Sequence, residues 1–202
     1  MKLKRKFFNR NTIVVARELL GKYLVRRVNG KIIKARITET EAYCGIKDKA
    51  CHASKGMTER TKIMFGPPGH AYIYLVYGMY HCLNVVTREA GCPEAVLIRK
   101  AEVKVGNVRN VGGEQFEQVK RLNKQSSPTS EAIKQLSGPG ILCRELKIDK
   151  SLNGVDLCKS KELLIESLGE KPKRTKRGKR IGVDYAGKWR DKLWRFYVDL
   201  EA

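Results

Sequence analysis

No apolar run in this chain approaches the roughly 20 residues that a membrane-crossing helix needs, and no basic amphipathic helix stands out, so a membrane is not an expected partner. The N-terminal "MKLKRKFFNR" starts basic but lacks the apolar stretch of a secretory signal, which points to an intracellular, cytoplasmic protein. Cysteine pairs at metal-binding spacing are also missing. Cys44, Cys51, Cys82, Cys92, Cys143 and Cys158 are scattered, neither CxxC nor HxxxH occurs, and the expectation is no metal and no organic cofactor. The chain is large enough to fold without staples, so reduced and mostly buried thiols are expected. Internal repeats and long low-complexity tracts are absent. Acidic residues are scarce: 21 Asp and Glu against 42 Lys and Arg leave a formal charge of +21. That excess favours a polyanionic partner, nucleic acid first, because each cation placed beside a phosphate releases condensed counterions.

What is present fits one domain with a substantial core in 202 residues. "NTIVVARELLG", residues 11–21, predicts a short helix capped by Asn11 or Thr12, with Val14, Val15, Leu19 and Leu20 as its apolar stripe and Gly21 ending it. "KYLVRRVNGKIIKARITETEAY" predicts two strands around an Asn29-Gly30 type I′ turn. A loop from Cys44 to Gly69 follows, then the ribbon "AYIYLVYGMYHCLNVV", then the strand "EAVLIRKAEV". Residues 104–137 are polar and read as a loop with one or two modest helices. "GPGILCRELKI" predicts a turn entering a helix near Pro139, "EKPKRTKRGKR" (170–180) is a solvated basic loop or a phosphate contact, and "WRFYVDL" is the last strand.

In the strand after Gly30, alternation places Ile33, Ala35 and Ile37 on one face and Lys34, Arg36, Thr38 and Thr40 on the other. Continued, the count puts Glu39, Glu41 and Tyr43 on the apolar face. Either the strand bulges or frays before Glu39 and both acids are surface groups, or carboxylates point into a pocket at the strand end. Arg99 shares parity with Ala95, Leu97 and Ala101, so it is a natural partner for such an acid. The 71–86 ribbon reads as a hairpin that either covers a sheet with tyrosines or carries a wedge. Tyr77 and Met79 straddle its turn, where little protein is within reach, and proteins that bend DNA push such side chains between base steps. Aromatic residues beside the wedge, Tyr43, Tyr74 and His52, would stack on a displaced base at about 1–3 kcal/mol each.

The runs "ARELLGKYLVRR", "ARITETEAY", "DKACHASKG", "MFGPPGHAYIYLVYGMYHCLNVV", "AVLIRKAE", "SGPGILC" and "RIGVDYAGKWRDKLWRFYV" together resemble the alkyladenine DNA glycosylases, also called 3-methyladenine or methylpurine DNA glycosylases of the mammalian type. The resemblance spans nearly the whole chain in order. It implies an α+β fold, a single mixed domain over 1–202 with a curved, mainly antiparallel sheet, surrounding helices and the hairpin protruding. It implies a monofunctional, monomeric base-excision repair enzyme acting on double-stranded DNA that contains a damaged purine. By this resemblance Glu41 is the general base, Arg99 helps hold the attacking water, and the Ile181 carbonyl completes its site. Tyr43 and His52 stack on one side of the flipped base and Tyr74 on the other, Asn84 excludes purines with a 2-amino group, and Tyr77 fills the gap in the duplex. Met79 and Tyr80 lie along the minor groove, with Arg60 and Lys62 near the backbone. Three departures stand out: the loop between His52 and Arg60 is one residue shorter than in the mammalian form, Ile141 replaces a common lysine, and His81 replaces an aromatic residue. A non-catalytic basic nucleic-acid-binding module is the rival reading.

Overall fold

The computed structural model describes residues 1–104 and 132–198. Two short helices open the chain, α1 (Arg5–Phe8) and α2 (Thr12–Glu18). Asn11 caps α2: its side chain accepts the N–H groups of Ile13 and Val14 at 3.0 and 3.3 Å, satisfying two of the donors a helix start leaves open. The helix buries Val15 and Ala16, Leu19 and Leu20 continue the apolar surface, and Gly21 turns the chain at φ +77°.

Strands β1 (Tyr23–Val28) and β2 (Lys31–Tyr43) form the predicted hairpin, and Asn29 and Gly30 both take positive φ as a type I′ turn requires. Next come β3 (Ala71–Val76), β4 (Tyr80–Thr87), β5 (Glu94–Lys104) and β6 (Ile133–Ser137). Helix α3 (Pro139–Glu145) is followed by β7 (Leu163–Glu166), β8 (Thr175–Gly178) and β9 (Arg195–Val198). Every pairing among these strands is antiparallel. The sheet runs β3-β4-β5-β2-β1-β7, with β6 beside β5 and β9 linking β8 to β2. This is the α+β class expected, although its helices are few and short among the described residues.

The sheet curls where its two longest strands change partners. β1 accompanies β2 as far as Arg36, and β9 takes over that edge from Glu39; on β5, β4 ends at Leu97 and β6 begins at Lys100. The β2–β5 register breaks between the same points, around Thr38–Glu39 on one strand and Arg99 on the other. Such bulges bend and twist a sheet.

This bulge corrects the parity reading. Ile33, Ala35 and Ile37 face the main core, but beyond the break it is Ala42 that joins that core, and Thr40 donates its hydroxyl to the Ala16 carbonyl of α2. On β5 the core positions likewise switch from Val96 and Ile98 to Ala101 and Val103. Glu39, Glu41, Tyr43 and Arg99 therefore lie on the opposite face from the early apolar residues. They are nonetheless not surface groups, because that face is covered by one cluster in which Cys51 and Met64 of the loop over 44–69 meet Tyr72 of β3, and by another in which Ala50 meets Val183 and Ala186 of the segment 179–194.

Two other expectations change. Residues 133–137 are a strand, not loop or helix; the remainder of that reading, 105–131, lies outside the described residues, as does the end of the last predicted strand. The basic run at 170–180 is only partly loop, since Thr175–Gly178 pair with β9 and Arg180 is buried. Cys51, Cys82 and Cys143 are buried, and the other three cysteines partly so. Among the described residues no helix is long and apolar enough to cross a membrane.

Candidate active site

Glu41 is fully buried at the end of β2. Its Oε1 accepts the Ile181 N–H at 2.9 Å and lies 3.5 Å from Arg99 Nη1, and its Oε2 accepts the Tyr43 hydroxyl at 2.8 Å. Burial raises the carboxyl pKa above the ordinary range, against the pull of Arg99, the Ile181 N–H and the Tyr43 hydroxyl. A carboxylate offers about four lone-pair sites. Oε2 has one donor, which leaves it room to take a proton from a water.

Arg99 is shared. Its Nε stands 3.2 Å from Glu39 Oε1, so one guanidinium bridges two acids spaced two residues apart on β2. Glu39 is buried too, and burial pushes its pKa up, but Lys100 at 2.8 Å and Arg195 at 3.1 Å outweigh that and hold it below the usual value. The two acids are thus driven apart electrostatically: Glu39 is a fixed anion, while Glu41 is poised to accept a proton.

Beside Glu41 lies a pocket lined by Tyr43, Ala50, Cys51, His52, Met64, Tyr72, Tyr74, Asn84 and Ala95. Four of the residues singled out from the sequence, Tyr43, His52, Tyr74 and Asn84, are on this wall. The His52 ring meets Tyr74 edge to face with centroids 4.5 Å apart, so a base inserted between them must part the rings to roughly 7 Å, twice the van der Waals spacing. His52 Nδ1 is 2.9 Å from the Tyr72 hydroxyl. Burial, helped by the nearby Arg60 and Lys55 charges, lowers its pKa to about 4, which keeps the ring neutral at physiological pH. Asn84 is buried and donates its amide to the Tyr72 and Cys82 carbonyls at 3.2 and 3.4 Å, fixing which of its atoms faces the pocket.

The β3–β4 hairpin extends from this pocket. Tyr77 at its tip is 87% exposed and sits at φ +52°, a rare backbone for a bulky residue that the adjoining Gly78 shares without strain. Met79 is exposed as well, and its N–H closes the turn on the Val76 carbonyl. Tyr80 is half-exposed because its ring lies on α3, where a Cβ at Gly140 would come within 3.0 Å of it; the small residue in "GPGILC" lets hairpin and helix touch. Ile141, next along, is exposed. Arg60 and Lys62 are exposed on the loop before β3: the Arg60 guanidinium rests 5.0 Å over the Tyr74 ring, and Lys62 pairs with Glu59 at 2.7 Å.

Several contributors escaped the sequence reading. Tyr72 shares parity with Tyr74 on β3, a signal sufficient to place it in the same wall. Glu39 shares the parity of Glu41 in the sequence, but its part as the second acid on Arg99 is visible only in the structure. The Asp48–Arg180 ion pair joins residues 132 positions apart and left no local pattern. Ile181 does reach Glu41, through its N–H.

The sequence model of the methylpurine-DNA glycosylase (MPG) family matches residues 6–202. A protein of Desulfitobacterium hafniense (strain Y51) named "Putative 3-methyladenine DNA glycosylase" is 47% identical over 199 residues, covering 98% of this chain and 95% of that protein. Proteins of the same name from Methanocella arvoryzae and Clostridium perfringens (strain 13 / Type A) are 49% and 44% identical, over 96% and 98% of this chain and 91% and 96% of their own lengths.

Proposed function

The chain belongs to the methylpurine-DNA glycosylase family, and on that premise we propose that it draws a damaged purine into the slot of Tyr43, His52 and Tyr74 and hydrolyses its N-glycosidic bond with a water activated by Glu41. It is an N-glycosylase of the 3-methyladenine DNA glycosylase type, a hydrolase of base-excision repair whose substrate is DNA carrying an alkylated purine. The finer reading is the set of bases, 3-methyladenine, 7-methylguanine, hypoxanthine and ethenoadenine, and an abasic site as the product left by a monomer.

The observation that carries this reading is a fully buried carboxylate held by a cation, a main-chain N–H and a phenol, directly beside an aromatic pocket. A pure binding module gains nothing from such an acid in a basic protein. Ionised Glu41 takes a proton from water and opposes the positive charge that builds on the sugar as the bond breaks. Arg99 helps by favouring the ionised state and orienting the water. Alkylation at N3 or N7 makes the base cationic, so aromatic faces attract it and it departs readily. Tyr77 fills the vacancy in the duplex, Met79 and Tyr80 follow the minor groove, Arg60 and Lys62 meet the phosphates, and Asn84 turns away 2-amino purines.

The test uses purified protein with duplexes carrying one lesion each. Free base is released, and strands break only after alkali. Strand breaks without alkali contradict the water nucleophile, since they require an amine that forms a covalent intermediate. Binding without release of any base returns the protein to the binding-module reading.

A further inference from the structure

Behind Glu41, among the described residues, stands an ion pair with both side chains at 0% exposure, Arg180 with Asp48. The guanidinium grips the carboxylate with two nitrogens at 2.5 and 2.9 Å. It also donates to the Ala42 carbonyl at 2.9 Å and the Trp189 carbonyl at 3.2 Å, and it lies between two rings, 4.9 Å from Tyr43 and 5.0 Å from Trp194. Asp48 meanwhile accepts the N–H groups of Cys44 and Ala50, both at 3.1 Å. Burial alone disfavours these charges, and a buried pair is often no more stable than well-packed apolar residues, so stability is a weak reason for its presence.

Its connections give a stronger one. The pair ties together the end of β2, the loop that leads to His52 and the segment 179–194; the first two line the pocket through Tyr43, Ala50, Cys51 and His52, and the third brings the Ile181 N–H to Glu41. Arg180 directly precedes Ile181, whose N–H lands on Glu41 Oε1. Its guanidinium also supports the Tyr43 ring, whose hydroxyl holds Glu41 Oε2. We propose that Asp48 and Arg180 are positioning residues for excision: their forked ion pair sets the Ile181 N–H against Glu41 and braces the Tyr43 ring, fixing the base and the stacking wall in one frame. Only the planar fork of arginine can grip Asp48, reach two carbonyls and stack between rings at once.

This inference rests on Glu41 being the general base, and it has a signature that structural damage alone lacks. The groups facing Glu41 are Arg99 on β5, Tyr43 and Glu39 on β2, Tyr74 on β3, Cys82 on β4 and the Ile181 N–H. Of these the Ile181 N–H depends on Arg180 and Tyr43 leans on it. Losing either donor removes a stabiliser of the ionised carboxylate, so the acid limb of the rate profile moves to higher pH.

The experiment compares wild type with Arg180→Lys and Asp48→Asn by single-turnover excision across pH, and by affinity for a duplex bearing a tetrahydrofuran abasic-site analogue. The expected result is analogue binding within about threefold of wild type, excision slower on the order of 10- to 100-fold, and an acid limb at higher pH. Wild-type excision and an unmoved limb overturn the proposal. So does parallel loss of binding and excision with the limb in place, which marks a staple of the fold. If neither variant folds, the milder Asp48→Glu keeps both charges but lengthens the arm that grips Arg180; an acid limb that moves up supports the proposal, and one that stays put overturns it. Absence of base release by the wild-type protein is a separate outcome and refutes the reading of Glu41 itself.

Discussion

Arg99→Met isolates what one guanidinium does for two buried acids. The methionine keeps the stem and removes every donor. Glu39 remains held by Lys100 and Arg195 at 2.8 and 3.1 Å, so the loss falls on Glu41, which retains only the Ile181 N–H and the Tyr43 hydroxyl. Breaking a buried pair costs about 3–5 kcal/mol, and the lower end applies because two donors survive. For a chain of this size about 1 kcal/mol moves Tm by roughly 2–4 °C, so about 3 kcal/mol predicts a fall of roughly 6–12 °C. The effect depends on pH in a fixed direction. Burial and Glu39 already raise the Glu41 pKa, and Arg99 is the largest of the three influences that oppose them, so the variant raises it further. A group whose folded pKa exceeds its unfolded value keeps its full contribution below the unfolded pKa and loses it as pH rises through the folded one. The Tm gap between variant and wild type is therefore smaller near pH 5 than near pH 8. Thermal unfolding of both proteins at the two pH values measures it. A gap worth under about 1 kcal/mol at pH 8, or an equal gap at both, refutes the shared-arginine reasoning.

Two further outcomes follow from the pocket and the hairpin. Tyr77→Ala, at a site 87% exposed, leaves stability within about 0.5 kcal/mol but weakens binding to a lesion duplex roughly 5- to 150-fold, the worth of one stacked aromatic; weakening below about twofold removes Tyr77 as the wedge. His52 titrates by NMR at about 4 against an ordinary 6.5, and stability declines as pH falls through that window because the unfolded imidazole takes a proton that the folded one refuses; a midpoint above 6 contradicts a buried, neutral ring.

Local chemistry was legible in the sequence, and changes of partner were not. Asn29-Gly30, Asn11 and Pro139 each act within a few residues, and the turn and helix starts lie where they indicate. The alternation of β2 was legible as far as Ile37. Beyond it the count failed, because a bulge depends on which strand lies alongside, and β9 arrives from more than 150 residues away. The inference of a buried acid survived that error because a second layer, 44–69 and 179–194, covers the face to which the bulge turns Glu41. Arg180 was hidden for the opposite reason: among the many cations of 170–180, nothing local marks the one that is buried. The strand at Ile133–Ser137 was hidden because its two apolar residues, Ile133 and Leu136, stand three apart instead of alternating, and only pairing with β5 defines it.

The central claim is that Glu41 activates water beside a flipped purine. Glu41→Gln tests it most directly, since the amide keeps the size of the acid and can still accept the Ile181 N–H. Single-turnover excision from an inosine-containing duplex, measured beside affinity for the same duplex, should show binding retained and the rate lower by on the order of 10²- to 10⁴-fold. Excision at the wild-type rate would contradict the account.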